Sequence, residues 1–386
     1  MVHDTSATPG GPVRSPTIRD VARVAGVSKS LVSLVFTGGG TVSEERRLRV
    51  LHAAEQLGYR PNLVAQSLSA GRRDIVAILV SNLHNPLFAE IVGAAKARLA
   101  EAGRRTMILS AQVDDGAGGA VLDRDNIDVL RDLRPSGLIA VGTIPEFAEL
   151  AELTAAIPTV VASAIDATPD VVAAVRTDDA AGLDLVVAHL AAQGVERVAF
   201  VGGDGGTVAA ARERAFVAAA ERRGFGARAW VERADSSDAG ARDAAVAARR
   251  AVARLLAEDR LPQAIVAVND VTAVGVITAL ESAGVGVPRG CRVVGYDGTT
   301  LAAIPRISLT TVDPDNRRIG REAAEALLAA PGFAAPGVAA PWRQGADRAG
   351  AESMSADRAG AGSMGAGDRS SGEVLIPPTL VVRASA

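Results

Sequence analysis

Residues 17–36 read TIRDVARVAGVSKSLVSLVF, and this stretch decides the N-terminal fold. Ile18, Val21, Ala22 and Ala25 recur at i, i+3, i+4 and i+7, which places them on one face of a short helix. Thr17 precedes that face as a cap, and Asp20 at the third helical position makes a near capping box. Gly26 tolerates the positive φ that ends a helix. Ser28 then caps a second predicted helix, Lys29 to Phe36, whose Val32, Val35 and Phe36 face inward. Two short helices across a tight glycine turn form a helix-turn-helix, a shape that lays its second helix in the major groove of DNA.

The flanks extend this reading. Gly38–Gly40 is a loop, and Ser43 to Leu57 reads as a third helix with Val50, Ala54 and Leu57 on one face, ended by Gly58. Asn62 to Ala70 has helical spacing but is too short to be stable alone in water, because helix nucleation is costly. Gly71, Arg72 and Arg73 close the segment, and residues 1–16 read as a disordered tail. From Arg14 to Arg73 there are ten Arg or Lys against four Asp or Glu, a balance of +6 that leaves −9 for the remainder of a chain of net charge −3. A basic head on an acidic body is the footprint of a nucleic-acid binder whose body stays off the phosphates.

From Asp74 strands and helices alternate. Ile75–Val80, Thr106–Ala111, Gly137–Val141, Thr159–Ala162, Val171–Val175, Val198–Val201, Ala264–Val268 and Arg292–Tyr296 read as strands. Leu87–Ala102, Ala180–Ala192 and Val208–Arg223 are among the helices between them. Alternation of this kind predicts βαβ units, and the length predicts two doubly wound parallel-sheet subdomains with a cleft between them. Residues 331–372 break the pattern with ADRAGAESM and ADRAGAGSM, an imperfect Ala/Gly/Ser-rich repeat, and read as a disordered insertion. Glu373 to Val382 reads as a last strand-like stretch.

Composition narrows the classes. Aromatic residues are 3% of the 386, so the core is built from Ala, Val, Leu and Ile, as suits a buried parallel sheet. Cys291 is the single cysteine, which excludes an internal disulfide and a multi-cysteine metal site. His3, His52, His84 and His189 have no ligand spacing. No run of 18 apolar residues and no apolar leader occurs, so the expectation is a cytoplasmic protein with no membrane partner and no cofactor. An enzyme is disfavoured: the glycines of VGGDGG (201–206) do not make GxGxxG, and no Walker motif, nucleophile elbow or metal triad occurs. An exported binding protein is disfavoured by the head itself.

The ordered motifs DVARVAGVSKSLVSLVF, VSEERRLRVLHAAEQLGYRPN, VAQSLSAG, NPLF, VRTDDAAG, HLAAQGVERVAFVGG, AIVAVNDVTAVGV, VPRGCRVVGYDG, ISLTTVDPDNRRIG and PPTLVVRAS resemble the lactose-repressor/galactose-repressor (LacI/GalR) family. The resemblance covers the chain except its tail and the 331–372 insertion. It implies a dimeric repressor, often a dimer of dimers, reading a pseudo-palindromic operator. It also implies a periplasmic-binding-protein-like sensor whose chain crosses between subdomains near 177, near 312–315 and near 373. The domains expected are thus 17–61 for DNA binding, 62–73 for a hinge helix and linker, and 74–386 for effector binding.

Site residues follow from both arguments. Lys29 and Ser30 begin the recognition helix, with Ser33 and Leu34 one turn on; Lys suits guanine N7/O6, Ser is permissive, and Leu34 offers an apolar contact to a thymine methyl. Thr17 and Ser28 join the DNA-facing set, and the resemblance adds Asn62, Ala65 and the minor-groove leucine, Leu68. Leu31 and Leu34 depart from the polar or basic residues frequent in the family. In open α/β sheets ligands bind beyond the carboxyl ends of strands, where Asn269, Asp297 and Phe88 lie and Arg212 follows early in a helix. By resemblance these four are the effector contacts, with Arg forking across two oxygens and Phe stacking on a ring, a set suited to a carbohydrate. Asp178 and Asp270 read as helix caps.

Overall fold

The computed structural model describes residues 16–37, 42–59, 75–83, 85–114, 120–164, 171–202, 206–233, 241–333 and 372–386. They fall into two compact units, one containing the head and the other beginning at Ile75.

The head is three helices, α1 (Ile18–Ala25), α2 (Lys29–Thr37) and α3 (Glu44–Leu57). The Asp20 carboxylate accepts from the Thr17 amide at 2.9 Å and from the Thr17 hydroxyl at 2.7 Å, closing the first turn of α1. Gly26 and Gly58 end α1 and α3 at φ 63° and 62°, the left-handed region that only glycine enters without strain. Ser28 Oγ accepts from the Leu31 amide at 3.2 Å and caps α2. Val21, Val32 and Val50, one from each helix, are fully buried, and Val35, Phe36, Ala53 and Ala54 complete the core. Tyr59, beyond α3, tilts against Phe36 with ring centroids 5.8 Å apart.

In the second unit the chain runs β1 (Ile75–Val80), α4 (Pro86–Glu101), β2 (Arg105–Ser110), β3 (Gln112–Asp114), β4 (Ala120–Leu122), α5 (Arg124–Leu133), β5 (Gly137–Val141), α6 (Ala151–Ala156), β6 (Thr159–Ala162) and β7 (Ala173–Thr177). It continues through α7 (Asp179–Ala192), β8 (Val198–Gly202), α8 (Gly206–Arg222), β9 (Ala229–Arg233), α9 (Ala241–Ala257), β10 (Ala264–Ala267), α10 (Asp270–Ser282), β11 (Arg292–Tyr296) and β12 (Thr310–Asp313). Last come α11 (Asn316–Leu328), β13 (Glu373–Ile376) and β14 (Thr379–Val381).

The strands form two six-stranded sheets, β13-β7-β6-β5-β1-β2 and β14-β12-β11-β10-β8-β9, parallel except for β14. Both faces of each are covered. Along β1, Val76, Ile78 and Val80 join α4 and α11, whereas Ala77 and Leu79 pack on the α5 side. Along β8, Val198 and Phe200 face α7 and α8, while Val201 faces α9 and α10. Continuous apolar runs such as IVAILV are the signature of strands buried on both faces. In each sheet the winding reverses once, between β1 and β5 and between β8 and β10, the switch point at whose strand ends open α/β sheets generally bind ligands.

Three features of the sensor differ from what its sequence predicts. Glu373 to Val382 is two strands rather than one: Pro377 and Pro378 lack the N–H a ladder requires, and the chain changes sheets there, not near 373. The β3–β4 hairpin and the half-buried edge strand β9 were not predicted, because neither is a long apolar run. β12 was hidden by its polar composition, TTVD, although Thr310 to Val312 are fully buried. Most of the 331–372 segment lies outside the described residues. No helix among the described residues is long and apolar enough to cross a membrane.

α11 seals the first subdomain by lying on α4, and its Gly320 permits the close approach. A Cβ there would run into the Ile91 carbonyl oxygen, whereas one at the exposed Gly93 of α4 would meet nothing within 4 Å. Gly320→Ala is therefore expected to lower stability by about 1–3 kcal/mol through overpacking. Gly93→Ala is expected to raise it by roughly 0.5–1 kcal/mol through helix propensity. Urea unfolding of the two variants checks the pair, and a Gly320→Ala chain as stable as the parent contradicts the packing.

Candidate DNA-reading head and effector cleft

On the head, Lys29 and Ser30 are exposed in the first turn of α2, beside the exposed cap Ser28. Ser33 and Leu34 are half-buried one turn on, and Leu31 leans on the helical core. Thr17 is half-buried with its hydroxyl given to Asp20. Arg19, Arg23, Arg46 and Arg49 are exposed on the other helices. The start of the capped helix α2 is thus exposed, and the head carries exposed arginines on its other two helices. Asn62, Ala65 and Leu68 lie outside the described residues.

The second site is built at the strand ends of the sensor. Asn85 caps α4 by accepting from the Leu87 amide at 3.1 Å, and its side-chain amide donates to Asp297 Oδ2 at 3.2 Å. That bond joins the first turn of α4 in one subdomain to the end of β11 in the other. Asp297 sits there at φ 103°, a strained backbone of the kind that functional sites hold, and Gly298 follows at 60°, which glycine adopts freely. Phe88, on the same first turn, covers Gly142 so closely that a Cβ there would stand 2.7 Å from the ring.

Arg212 is the hub. Its Nη1 donates to Asp297 Oδ1 at 2.9 Å and to the Val268 carbonyl at 2.8 Å, and its Nε donates to Asp179 Oδ1 at 3.1 Å. The guanidinium lies 3.8 Å above the Tyr296 ring. Burial works against its charge, but Asp297 and Asp179 outweigh that and raise its pKa. Burial raises the Asp297 carboxyl, and Arg212 opposes the rise. Asn316 donates to the Asp297 carbonyl at 2.9 Å from the crossing after β12.

Of the four expected effector residues, Arg212 and Asp297 are in direct contact. Asn269 follows the Val268 carbonyl that Arg212 holds, and Phe88 shares a helical turn with the Asn85 latch. The fork of Arg212, expected to meet ligand oxygens, spans two protein carboxylates. Asn269 is the cap of α10, accepting from the Thr272 amide at 2.8 Å. Asp270 is not the cap: its buried carboxylate accepts from Thr299 N at 2.7 Å, Thr299 Oγ1 at 2.8 Å and Thr311 Oγ1 at 2.6 Å. Asp179, Asn85, Tyr296 and Asn316 were missed. Asp178 does cap α7, accepting from Ala181 N at 2.9 Å, and its neighbour Asp179 turns inward, a distinction that two adjacent aspartates do not reveal in sequence.

Burial, then the charge of Asp297, push the Asp270 carboxyl up to about 7. A carboxyl raised in the folded state holds its proton longer than in the unfolded chain. Its stabilising contribution is therefore complete below pH ~4 and is lost as pH rises through about 7. Asp270→Asn imitates the protonated form. Between pH 5 and 8 the parent is expected to lose melting temperature relative to this variant, and a constant difference across that range contradicts the assignment.

Residues 17–62 match the bacterial regulatory proteins, lacI family, and residues 187–338 match the periplasmic binding protein-like domain. The HTH-type transcriptional repressor PurR of Photobacterium profundum is 30% identical over 319 residues, spanning 81% of this chain and 91% of PurR. The chain belongs to the lacI family. The ribose operon repressor of Escherichia coli K12, also similar to this lacI-family member, is 29% identical over 318 residues, covering 81% and 92% of the two chains. The fold matches the Lac repressor dimer bound to operator and the anti-inducer ONPF with a TM-score of 0.71, at 24% identity over 96% of this chain and 99% of that one. This lacI-family protein is a DNA-binding transcriptional repressor with a small-molecule effector domain.

Proposed function

We propose that α2 reads a pseudo-palindromic operator through Lys29, Ser30, Ser33 and Leu34, and that a carbohydrate effector occupies the cleft at Phe88, Arg212, Asn269 and Asp297. The observation that carries the cleft assignment is the Asn85–Asp297 bond between subdomains, at the residue that also anchors Arg212. A ligand that competes for Asp297 alters how the two halves are held, which is the differential contact a two-state switch needs. Carbohydrate is favoured by the mixture of Asp, Asn and Phe, which serve hydroxyls and the apolar face of a sugar ring. A ribose operon repressor among the relatives agrees with it.

The working unit is a homodimer, with tetramer as the alternative that sedimentation decides; the Lac repressor dimer on operator supports the first. Two copies of the 62–70 segment then meet at the operator, where Leu68 acts as an apolar wedge and Asn62 and Ala65 flank it. Calorimetry with aldoses tests the cleft. Phe88→Ala and Asn269→Ala are expected to weaken whichever sugar binds by about 1–3 kcal/mol each, and unchanged affinity in both places the effector elsewhere.

A further inference from the structure

The cleft reading leaves open which charge of ligand the site accepts, and the partners of Arg212 answer it. A single arginine facing a cleft ordinarily serves a phosphate or carboxylate through its planar fork. Here three of its N–H donors are taken by protein acceptors: Nε–H by Asp179, and Nη1 by Asp297 and Val268. Two carboxylates therefore flank one guanidinium, and all three groups are buried. Arg176 on β7 donates to Glu373 at 2.7 Å, and Arg317 and Arg318, past the end of β12, are exposed on α11. Among the described residues that follow β1, β5, β6, β8, β10 and β11, 81–83, 85–88, 142–146, 163–164, 171–172, 206–211, 268–272 and 297–303 contain no Lys or Arg. An anion entering here meets carboxylates in excess and a cation already neutralised.

We propose that the cleft selects an uncharged polyhydroxylated ligand over its phosphorylated or carboxylated counterparts, and that Asp179 sets this preference by holding the Nε–H of Arg212. This rests on the cleft reading above. Asp179 is a specificity-determining residue in this account: with an uncharged side chain in its place, the excess negative charge falls and Arg212 has one carboxylate partner instead of two.

The test is calorimetry of the full chain with D-ribose, D-glucose, D-galactose and other aldoses. The charged forms, ribose 5-phosphate, glucose 6-phosphate and galacturonate, are titrated beside them. At least one neutral sugar is expected to bind, with its charged form ~100-fold weaker or worse. Asp179→Asn, nearly isosteric, is expected to bring the two within ~10-fold of each other. A residue that only supported the fold would lower both affinities alike. Three results overturn the proposal: a charged form binding the parent as tightly as its neutral form, a ratio unmoved in Asp179→Asn, or no neutral sugar binding. The cleft reading fails separately. A compound whose affinity survives Phe88→Ala and Asn269→Ala sits elsewhere, whereas a charged compound that loses affinity in those variants overturns only the charge preference.

Discussion

Arg212→Ala is expected to destabilise the sensor by about 3–5 kcal/mol, because it leaves two buried carboxylates without their cation. Asp179 and Asp297 are 8% and 2% exposed in their side chains, so water does not replace the lost partner. The deficit should shrink as pH falls, since burial raises the Asp297 carboxyl and it then takes up a proton in the folded state. Arg212→Lys keeps the charge and is expected to lose less than alanine, yet still to fall short of the parent, for a point charge cannot span both carboxylates and the Val268 carbonyl. The triple variant Asp179→Asn, Arg212→Met, Asp297→Asn removes every charge at once and is expected to recover much of the loss. Urea unfolding across pH 5 to 8 reads all four chains. A single Arg212→Ala variant within about 1 kcal/mol of the parent contradicts the charge clamp.

The second large effect belongs to the head. Lys29→Ala with Ser30→Ala is expected to weaken specific operator binding by roughly 2–5 kcal/mol, which approaches the non-specific level. Both side chains are exposed on α2, so the melting transition of the head should stay in place. Binding-site selection distinguishes base reading from phosphate anchoring. Loss of a base contact relaxes one position of the preferred sequence, whereas loss of a phosphate contact weakens all sequences alike and lowers the salt slope by about one. An unchanged sequence preference and affinity in the double variant removes both residues from the interface.

Much of this architecture is legible in the sequence for physical reasons. Gly26, Ser28 and the spacing from Ile18 to Phe36 announce the head, since caps and left-handed turns admit few residue types. Strands such as Ile75–Val80 and Val198–Gly202 are legible because burial on both faces forces continuous apolar runs. β12 is not, because its threonine side chains serve other groups: Thr311 donates its hydroxyl to Asp270, and the Thr310 hydroxyl bonds the Arg383 and Ala386 carbonyls of the C-terminal tail. In the cleft, Asp297 and Asn269 follow from the rule that ligands bind at strand ends. Asp179 and Asn85 do not, since in sequence each reads as a residue at a helix start. Only the fold shows that one turns inward to Arg212 and that the other reaches Asp297 from the opposite subdomain.

Occupation of the cleft is expected to change how tightly the head holds DNA. Fluorescence anisotropy of the full chain on its selected operator, with and without a saturating cleft ligand, measures this directly. The operator Kd is expected to shift by about 5–150-fold in the parent, in one consistent direction. In Asn269→Ala the shift should require correspondingly more ligand. An operator affinity that stays constant while calorimetry shows the cleft filled contradicts the account.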